Sequence, residues 1–307
     1  MSEGDGRIPL TIIGGYLGAG KSTWLRHALH IGDFAQAHVL INEAAELPVD
    51  HLLLAGAAGL TVLADGCACC DGATRFVAAM RDLCDRNVAA IVLETSGLSD
   101  PAQIAAHIAN DGVLARRIRV TETIVVADAL HAAAQIGAEP LWLRQIEAAD
   151  RIVLTKVDAA QPPLLARLAA TMAVLNPEAL VSGSVLGSVV ELPDARHADP
   201  LPVLPSCGES APIRRVRLEV GAQAEWAAVS AWLSAVLQAH GNTLVRMKGV
   251  VRAPMGRLLL QSVRGTVQPP EILPASVAVT AENSFIVLIG RGLEDDRISR
   301  SFALLIT

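Results

Sequence analysis

Short, almost wholly apolar runs alternate with stretches of helical period through the first two-thirds of the chain. Residues 9–14, 38–42, 60–63, 89–93, 123–127, 151–154 and 179–181 read as strands, most of them continuous in apolar character as strands covered on both faces are. Residues 22–30, 72–86, 101–110 and 162–175 carry helical spacing, and residues 72–86 place Phe76, Val77, Met80 and Leu83 on one face. Pro101, behind Ser99 or Asp100 as cap, marks one helix start. Strands alternating with helices predict parallel βαβ units with right-handed crossovers.

The pattern breaks at residues 191–212, where Pro193, Pro200, Pro202, Pro205 and Pro212 exclude helix and central strand. It then restarts in a different form. Residues 213–220 alternate Arg214, Arg215, Arg217 and Glu219 with apolar positions. Residues 225–239 read as a helix, residues 243–252, 257–263 and 285–289 as strands, and residues 295–305 as a closing amphipathic helix. The expected organisation is an α/β domain with a mostly parallel sheet over residues 1–190, a Pro-rich linker over 191–212 and a smaller α+β domain over 213–307.

The chain has 307 residues, 52% of them hydrophobic and 3% aromatic, enough for a large core. A net charge of −6 argues against a broad nucleic-acid surface. Mean hydropathy is positive. Yet the run at 52–64 is too short to span a bilayer, and the run at 174–192 is broken by Pro177 and Glu178. No membrane contact is expected. The start, Met1-Ser2-Glu3-Gly4-Asp5, is acidic, unlike a signal peptide. A cytoplasmic location follows as the expectation, with thiols kept reduced and cysteines serving as ligands or core residues.

Gly15-Tyr16-Leu17-Gly18-Ala19-Gly20-Lys21-Ser22 fits G-x-x-x-x-G-K-[ST], the phosphate-cradling P-loop, between a predicted strand and a predicted helix. Gly15, Gly18 and Gly20 let the backbone turn its N–H groups toward phosphate oxygens, and the helix adds its positive dipole end. Lys21 is placed for the β- and γ-phosphates, and the Ser22 hydroxyl for Mg²⁺. Glu94 ends an apolar strand, in Ile91-Val92-Leu93-Glu94-Thr95-Ser96-Gly97. There it can reach Mg²⁺ or orient the attacking water, with the Gly97 amide beside the γ-phosphate. Thr155-Lys156-Val157-Asp158 has the guanine-reading form [NT]KxD. A buried Asp158 would accept from N1–H and the exocyclic amine of guanine, and the Lys156 stem would pack along the base.

Cys67-Ala68-Cys69-Cys70 precedes a predicted helix, whose N-terminus favours thiolate. Three thiolates cannot close a tetrahedral structural site, but they suit a soft metal such as Zn²⁺ that must be handed on. Glu43 and Glu46, in the polar stretch after the second strand, could join that site or approach the Mg²⁺ shell. Cys84 and Cys207 stand alone and read as structural.

Taken together, the motifs resemble the CobW family of metal-handling GTPases, relatives of the urease and hydrogenase maturation GTPases. The match runs from Gly14 through Thr23, then Gly66-Cys67-Ala68-Cys69-Cys70, then Glu94-Thr95-Ser96-Gly97-Leu98-Ser99-Asp100-Pro101, then Thr155-Lys156-Val157-Asp158. It resumes at Arg246-Met247-Lys248-Gly249-Val250-Val251 and Leu260-Gln261-Ser262-Val263. The resemblance implies a slow, metal-stimulated GTPase that binds GTP and Mg²⁺ and carries zinc, or in some relatives cobalt, to a client metalloprotein. A homodimer stays open. By position, Gly15, Gly18, Ala19, Gly20, Lys21, Ser22 and Thr23 would hold phosphate and Mg²⁺. Glu94 would serve the Mg²⁺ as well; Lys21, Glu94 and Gly97 would serve the reaction. Thr155, Lys156 and Asp158 would hold the guanine. Cys67, Cys69 and Cys70, with Glu43 and Glu46, would hold the cargo metal. One stretch departs from the family pattern Asn-Glu-Phe-Gly-Glu-Val-Gly: here it reads Asn42-Glu43-Ala44-Ala45-Glu46-Leu47-Pro48. Losing the glycine and gaining a proline should stiffen that loop. The competing expectations are a P-loop ATPase or small-molecule kinase, which would prefer ATP, and a nucleotide-gated binding module with negligible turnover.

Overall fold

The computed structural model describes residues 6–42, 57–63, 73–202, 213–221, 224–241, 243–263, 266–267, 269–273 and 284–306. The chain forms two compact units, one of residues 8–208 and one of residues 1–7 with 209–307.

In the larger unit, β1 (Ile8–Gly14), β2 (Ala37–Asn42), β3 (Gly59–Leu63), β4 (Ala90–Glu94), β5 (Ile118–Asp128), β6 (Arg151–Thr155) and β7 (Leu180–Val185) run parallel in the order β3-β2-β4-β1-β5-β6-β7. β8 (Ser188–Val190) closes the far edge antiparallel to β7. Helices cover both faces, which is why the central strands are apolar throughout. On one face, Phe76, Met80 and Leu83 of α2 (Ala73–Asp85) and Ile104 and Ile108 of α3 (Pro101–Asn110) pack on Leu10, Ile12, Leu40, Ile91 and Leu93. On the other, Trp24, Leu25 and Leu29 of α1 (Lys21–His30) pack on Ile13, Val39, Val92 and Val126. Trp142 and Ile146 of α6 (Pro140–Ala148), with Leu165, Leu168 and Met172 of α7 (Pro162–Leu175), cover the β5–β6 half.

Three features differ from the expectation. Residues 128–150, to which the sequence reading assigned no element, hold α5 (Ala132–Ala138) and α6, while α4 (Leu114–Arg117) precedes β5. In α5 the run Ala132-Ala133-Ala134 offers little apolar contrast, and Ala132 and Ile136 are its buried residues. β5 begins at Ile118, earlier than expected, because Arg119, Thr121 and Glu122 interrupt the apolar run at its start. Finally, the last strand of the sheet continues into the β7–β8 hairpin. Its turn is Leu186-Gly187, with φ of 50° and 99°. Positive φ at both central positions is the twist that two-residue hairpins need, without the Asn-Gly or Asp-Gly that usually signals it.

The smaller unit is an antiparallel sheet of β9 (Ile213–Glu219), β10 (Leu244–Ala253), β11 (Gly256–Val263), β12 (Thr266–Val267), β13 (Glu271–Leu273) and β14 (Phe285–Arg291), in the order β12-β11-β10-β14-β9 with β13 on β11. Val216, Leu218, Met247, Leu258 and Leu288 meet α8 (Trp226–His240) and α9 (Asp295–Ile306) in one core. There Trp232 and Phe302 stack edge to face at 4.8 Å, and the Trp232 indole N–H donates to Ser301 Oγ at 3.0 Å.

Candidate functional site

β1 lies where the sheet order reverses: the chain leaves β1 toward β2 on one side, and leaves β4 toward β5 on the other. Ligands of open α/β sheets bind at the carboxyl ends of strands at such a point. The P-loop starts there. Gly15 has φ of 136°, and a Cβ on it would lie 2.2 Å from the Val126 carbonyl oxygen. Gly20, at φ 89°, is the left-handed cap from which α1 begins. Both need glycine, one for space and both for conformation.

Lys21 is buried, its Nζ donating to the Gly15 and Tyr16 carbonyls at 3.1 and 3.3 Å. The Ser22 hydroxyl donates to Glu94 Oε1 at 2.5 Å. Glu94 ends β4, pairs in register with Ile13 of β1 and is 2% exposed. The sequence-predicted phosphate and Mg²⁺ residues are therefore brought together. A carboxylate and a hydroxyl in contact beside a P-loop are the hard oxygen donors Mg²⁺ takes, so the residues present fit the ion.

The turn after β4 is built from its own hydroxyls and backbone. Thr95 N–H donates to Ile13 O at 2.9 Å, Leu98 N–H to Ser96 Oγ at 3.3 Å and Ser99 N–H to Ser96 O at 3.0 Å. Gly97 presses on the P-loop: a Cβ there would lie 2.7 Å from Leu17 N and 2.8 Å from Leu17 Cα. Asp100 caps α3 through Ala102 N–H at 3.0 Å, the second of the two caps expected, and accepts from Arg144 Nε at 3.1 Å. Gln145, wholly buried, donates from Nε2 to Ser99 O at 2.8 Å and Gly97 O at 3.3 Å. The Tyr16 phenol is pushed up by its hydrogen bond to Glu139, the cap residue of α6, and secondarily by burial.

β6 delivers the second motif to the same loop. Thr155 Oγ1 donates to Ala19 O at 2.7 Å, and Lys156 Nζ to Gly18 O at 3.0 Å and Asp128 Oδ2 at 2.6 Å. Burial opposes ionisation of Asp128, but hydrogen bonds from Lys156, His131 and the Leu130 N–H together hold its carboxyl below the usual range. Beside them opens a cavity of about 360 Å³, lined by Thr23, Trp24, Leu130, Lys156, Asp158 and Leu186, among others. It has the size and mixed lining of a small-molecule cleft. Asp158 is exposed here, in the middle of the single turn Val157–Ala159, rather than buried as expected. The turn lifts it to the solvent side of the cleft, where a ligand rather than the protein would cover it.

Asp128, Arg144, Gln145, Leu130, Leu186 and Gly187 were not singled out from the sequence. Asp128 had a legible signal, an acid ending an apolar strand as Glu94 does. Leu186 and Gly187 had none, because their turn lacks the usual residues. Cys67, Cys69, Cys70, Glu43, Glu46 and Cys207 lie outside the described residues. Among the described residues, no group of three or more His, Cys, Asp or Glu could hold a metal ion. Cys84 is buried, and burial pushes its thiol up, as befits a core residue.

Residues 9–182 match the family described as CobW/HypB/UreG, nucleotide-binding domain, and residues 213–305 the cobalamin synthesis protein cobW C-terminal domain. Zinc chaperone YjiA of Escherichia coli is 35% identical over 160 residues, covering 50% of this chain and 50% of that protein. Zinc chaperone CobW of Pseudomonas aeruginosa is 31% identical over 231 residues, covering 64% and 59%. The chain thus spans about half the length of the curated relatives it matches. A crystal structure of Zn(II)-bound YjiA GTPase from E. coli superposes with a TM-score of 0.63 at 21% identity, covering 98% of this chain and 99% of that one, which shows the shared fold. With the P-loop, the post-β4 turn and the T-K-x-D strand end assembled on one sheet edge, the chain belongs to the CobW/HypB/UreG family.

Proposed function

We propose that this protein is a GTP-hydrolysing metallochaperone that takes a transition metal, zinc favoured, at Cys67, Cys69 and Cys70 and passes it to a client metalloprotein. The observation that carries the nucleotide half is the cleft between α1 and the β6 end, with Lys156 and Asp158 in its lining and the P-loop at its floor. Asp158 offers two acceptor oxygens where guanine offers two donors. Entry of a base would strip water from that carboxylate, so adenine would leave it unpaired. Lys21 would neutralise the phosphates. Ser22 and Glu94 would hold Mg²⁺, which supplies charge stabilisation to the transferring phosphoryl group. The metal half rests on the cysteine chemistry together with relatives described as zinc chaperones. On this reading Cys67, Cys69 and Cys70 lie between two nucleotide-facing stretches, so γ-phosphate binding and metal binding are linked.

Asp158→Asn is expected to weaken GTP binding about 100-fold and to admit xanthosine triphosphate, measured by nucleotide titration. A native preference for ATP would overturn the guanine assignment. Titrating Zn²⁺ with and without a non-hydrolysable GTP analogue tests the linkage, and equal affinities would remove it. Cys69→Ser should weaken zinc binding while sparing GTP, and Lys21→Ala the reverse.

A further inference from the structure

α6 approaches the triphosphate site through residues that belong to no phosphate-binding motif. Its cap residue Glu139 neighbours the Tyr16 phenol of the P-loop and raises its pKa. Arg144 bonds Asp100 at the far end of the post-β4 turn. Between them, Gln145 places its Nε2 between the carbonyls of Gly97 and Ser99. Its exposure is 0%, and its own Oε1 has no partner. A buried amide that leaves its acceptor unpaired while satisfying two carbonyls has its orientation dictated by those carbonyls.

The consequence for the turn is geometric. A trans peptide points its N–H and C=O in opposite directions. Ser96 O accepts from Ser99 N–H, and Gly97 O accepts from Gln145. Both peptide planes flanking Gly97 are therefore fixed from their carbonyl sides, which also fixes where the Gly97 N–H points. Gly97 meanwhile lies against Leu17 of the P-loop, at a separation that leaves no room for a side chain. A sub-ångström rotation of these planes moves the amide relative to any group seated in the P-loop.

We propose that Gln145 is a positioning residue for the third phosphate: by holding the carbonyls of Gly97 and Ser99 it sets the post-β4 turn against the P-loop, and so sets discrimination of GTP from GDP and the rate of turnover. This rests on the assignment of the site to GTP. On that assignment a diphosphate would stop short of the turn, so GDP affinity would report the rest of the site.

Gln145→Met keeps length and volume but loses the amide; Gln145→Leu is a second apolar replacement should the first fail to fold. Asn176→Leu is the control. Asn176 is another buried amide bound to α6, donating from Nδ2 to Ile146 O and Ala149 O at 2.8 Å and to Glu147 O at 3.3 Å, and Leu is its near-isosteric apolar replacement. Folding is checked by thermal melts, GDP and GTP-analogue affinities by titration, and turnover by phosphate release. The expected result for Gln145→Met is a fall in kcat of about 10-fold or more and a similar loss of GTP-over-GDP preference. GDP affinity should stay within about 3-fold, and Asn176→Leu should leave both ratios near the parent's. Equal losses in GDP and GTP affinity, or unchanged kcat and preference, would overturn the proposal. A parent protein that binds no guanine nucleotide would instead defeat the assignment of the site, and this proposal with it.

Discussion

Gly15 and Gly18 both sit at positive φ, 136° and 72°, but for different reasons. A Cβ on Gly18 would meet nothing within 4 Å, whereas one on Gly15 would meet the backbone oxygen of Val126 at 2.2 Å. Gly18→Ala therefore pays conformational strain of about 1–2 kcal/mol. Gly15→Ala adds a collision with a central strand that cannot yield, and overpacking of that kind costs about 1–3 kcal/mol more. Urea denaturation should rank Gly15→Ala below Gly18→Ala, and equal midpoints would show that the β5 contact is not constraining. At this scale the motif glycines were legible as a pattern, but the partner each one faces was not. Gly97 was read as an amide donor, and its contact with Leu17 came only with the three-dimensional arrangement.

At the scale of elements, the β2–β3 pair holds a titratable group outside the candidate site. His38 of β2 is 3% exposed, its Nε2 lies 2.8 Å from Thr61 Oγ1 of β3, and its ring abuts Gly59. Burial, then the Arg86 guanidinium, lower its pKa below 6.5, with Asp82 opposing. The unfolded chain therefore binds a proton that the folded chain refuses between the depressed value and 6.5. Stability should rise with pH through that window, flatten above it, and carry the full penalty below the folded value. Comparing urea midpoints of the parent and His38→Gln from about pH 5 to about pH 7.5 checks this: the variant should lose the slope, and parallel curves would refute it. Elements with strong apolar runs or clean helical contrast, such as β4, α2 and α3, were visible before any coordinates. α5 and the β7–β8 turn were not. Alanine lacks contrast in the one, and in the other a leucine takes the left-handed conformation usually signalled by asparagine or glycine. Gln145 was hidden for a related reason: a single amide on an unread helix carries no motif, and its meaning comes from the two carbonyls it meets.

At the scale of the molecule, each unit has its own buried core, one around Trp142 and the β-sheet of residues 8–190, the other around Trp232 and Phe302. Residues 191–202 carry no helix or strand, and Arg196 there pairs with Asp194 while its side chain stays 82% exposed. Trypsin should cut at Arg196 early and leave two fragments that keep their circular dichroism, since nicking concentrates in exposed segments outside helices and strands. Resistance at Arg196 with cleavage inside α-helices would contradict that expectation. The division into a Pro-rich segment between two differently patterned halves was legible from proline spacing, and both halves match their own family descriptions.

The β7–β8 hairpin has a consequence for how a bound base could leave. Its turn, Leu186-Gly187, forms one wall of the cleft, and the hairpin is held by three residue pairs, Gly183↔Val190, Ser184↔Val189 and Val185↔Ser188. The opposite wall is anchored by α1 and by the buried end of β6, deep in the sheet. On the proposed function, the doorway for a purine hangs on the outermost strand of the sheet, whose turn rests on His27 of α1. On that reading, unzipping the short margin would release spent nucleotide without loosening β4, the strand that carries Glu94, so exchange and chemistry can be tuned by separate mutations.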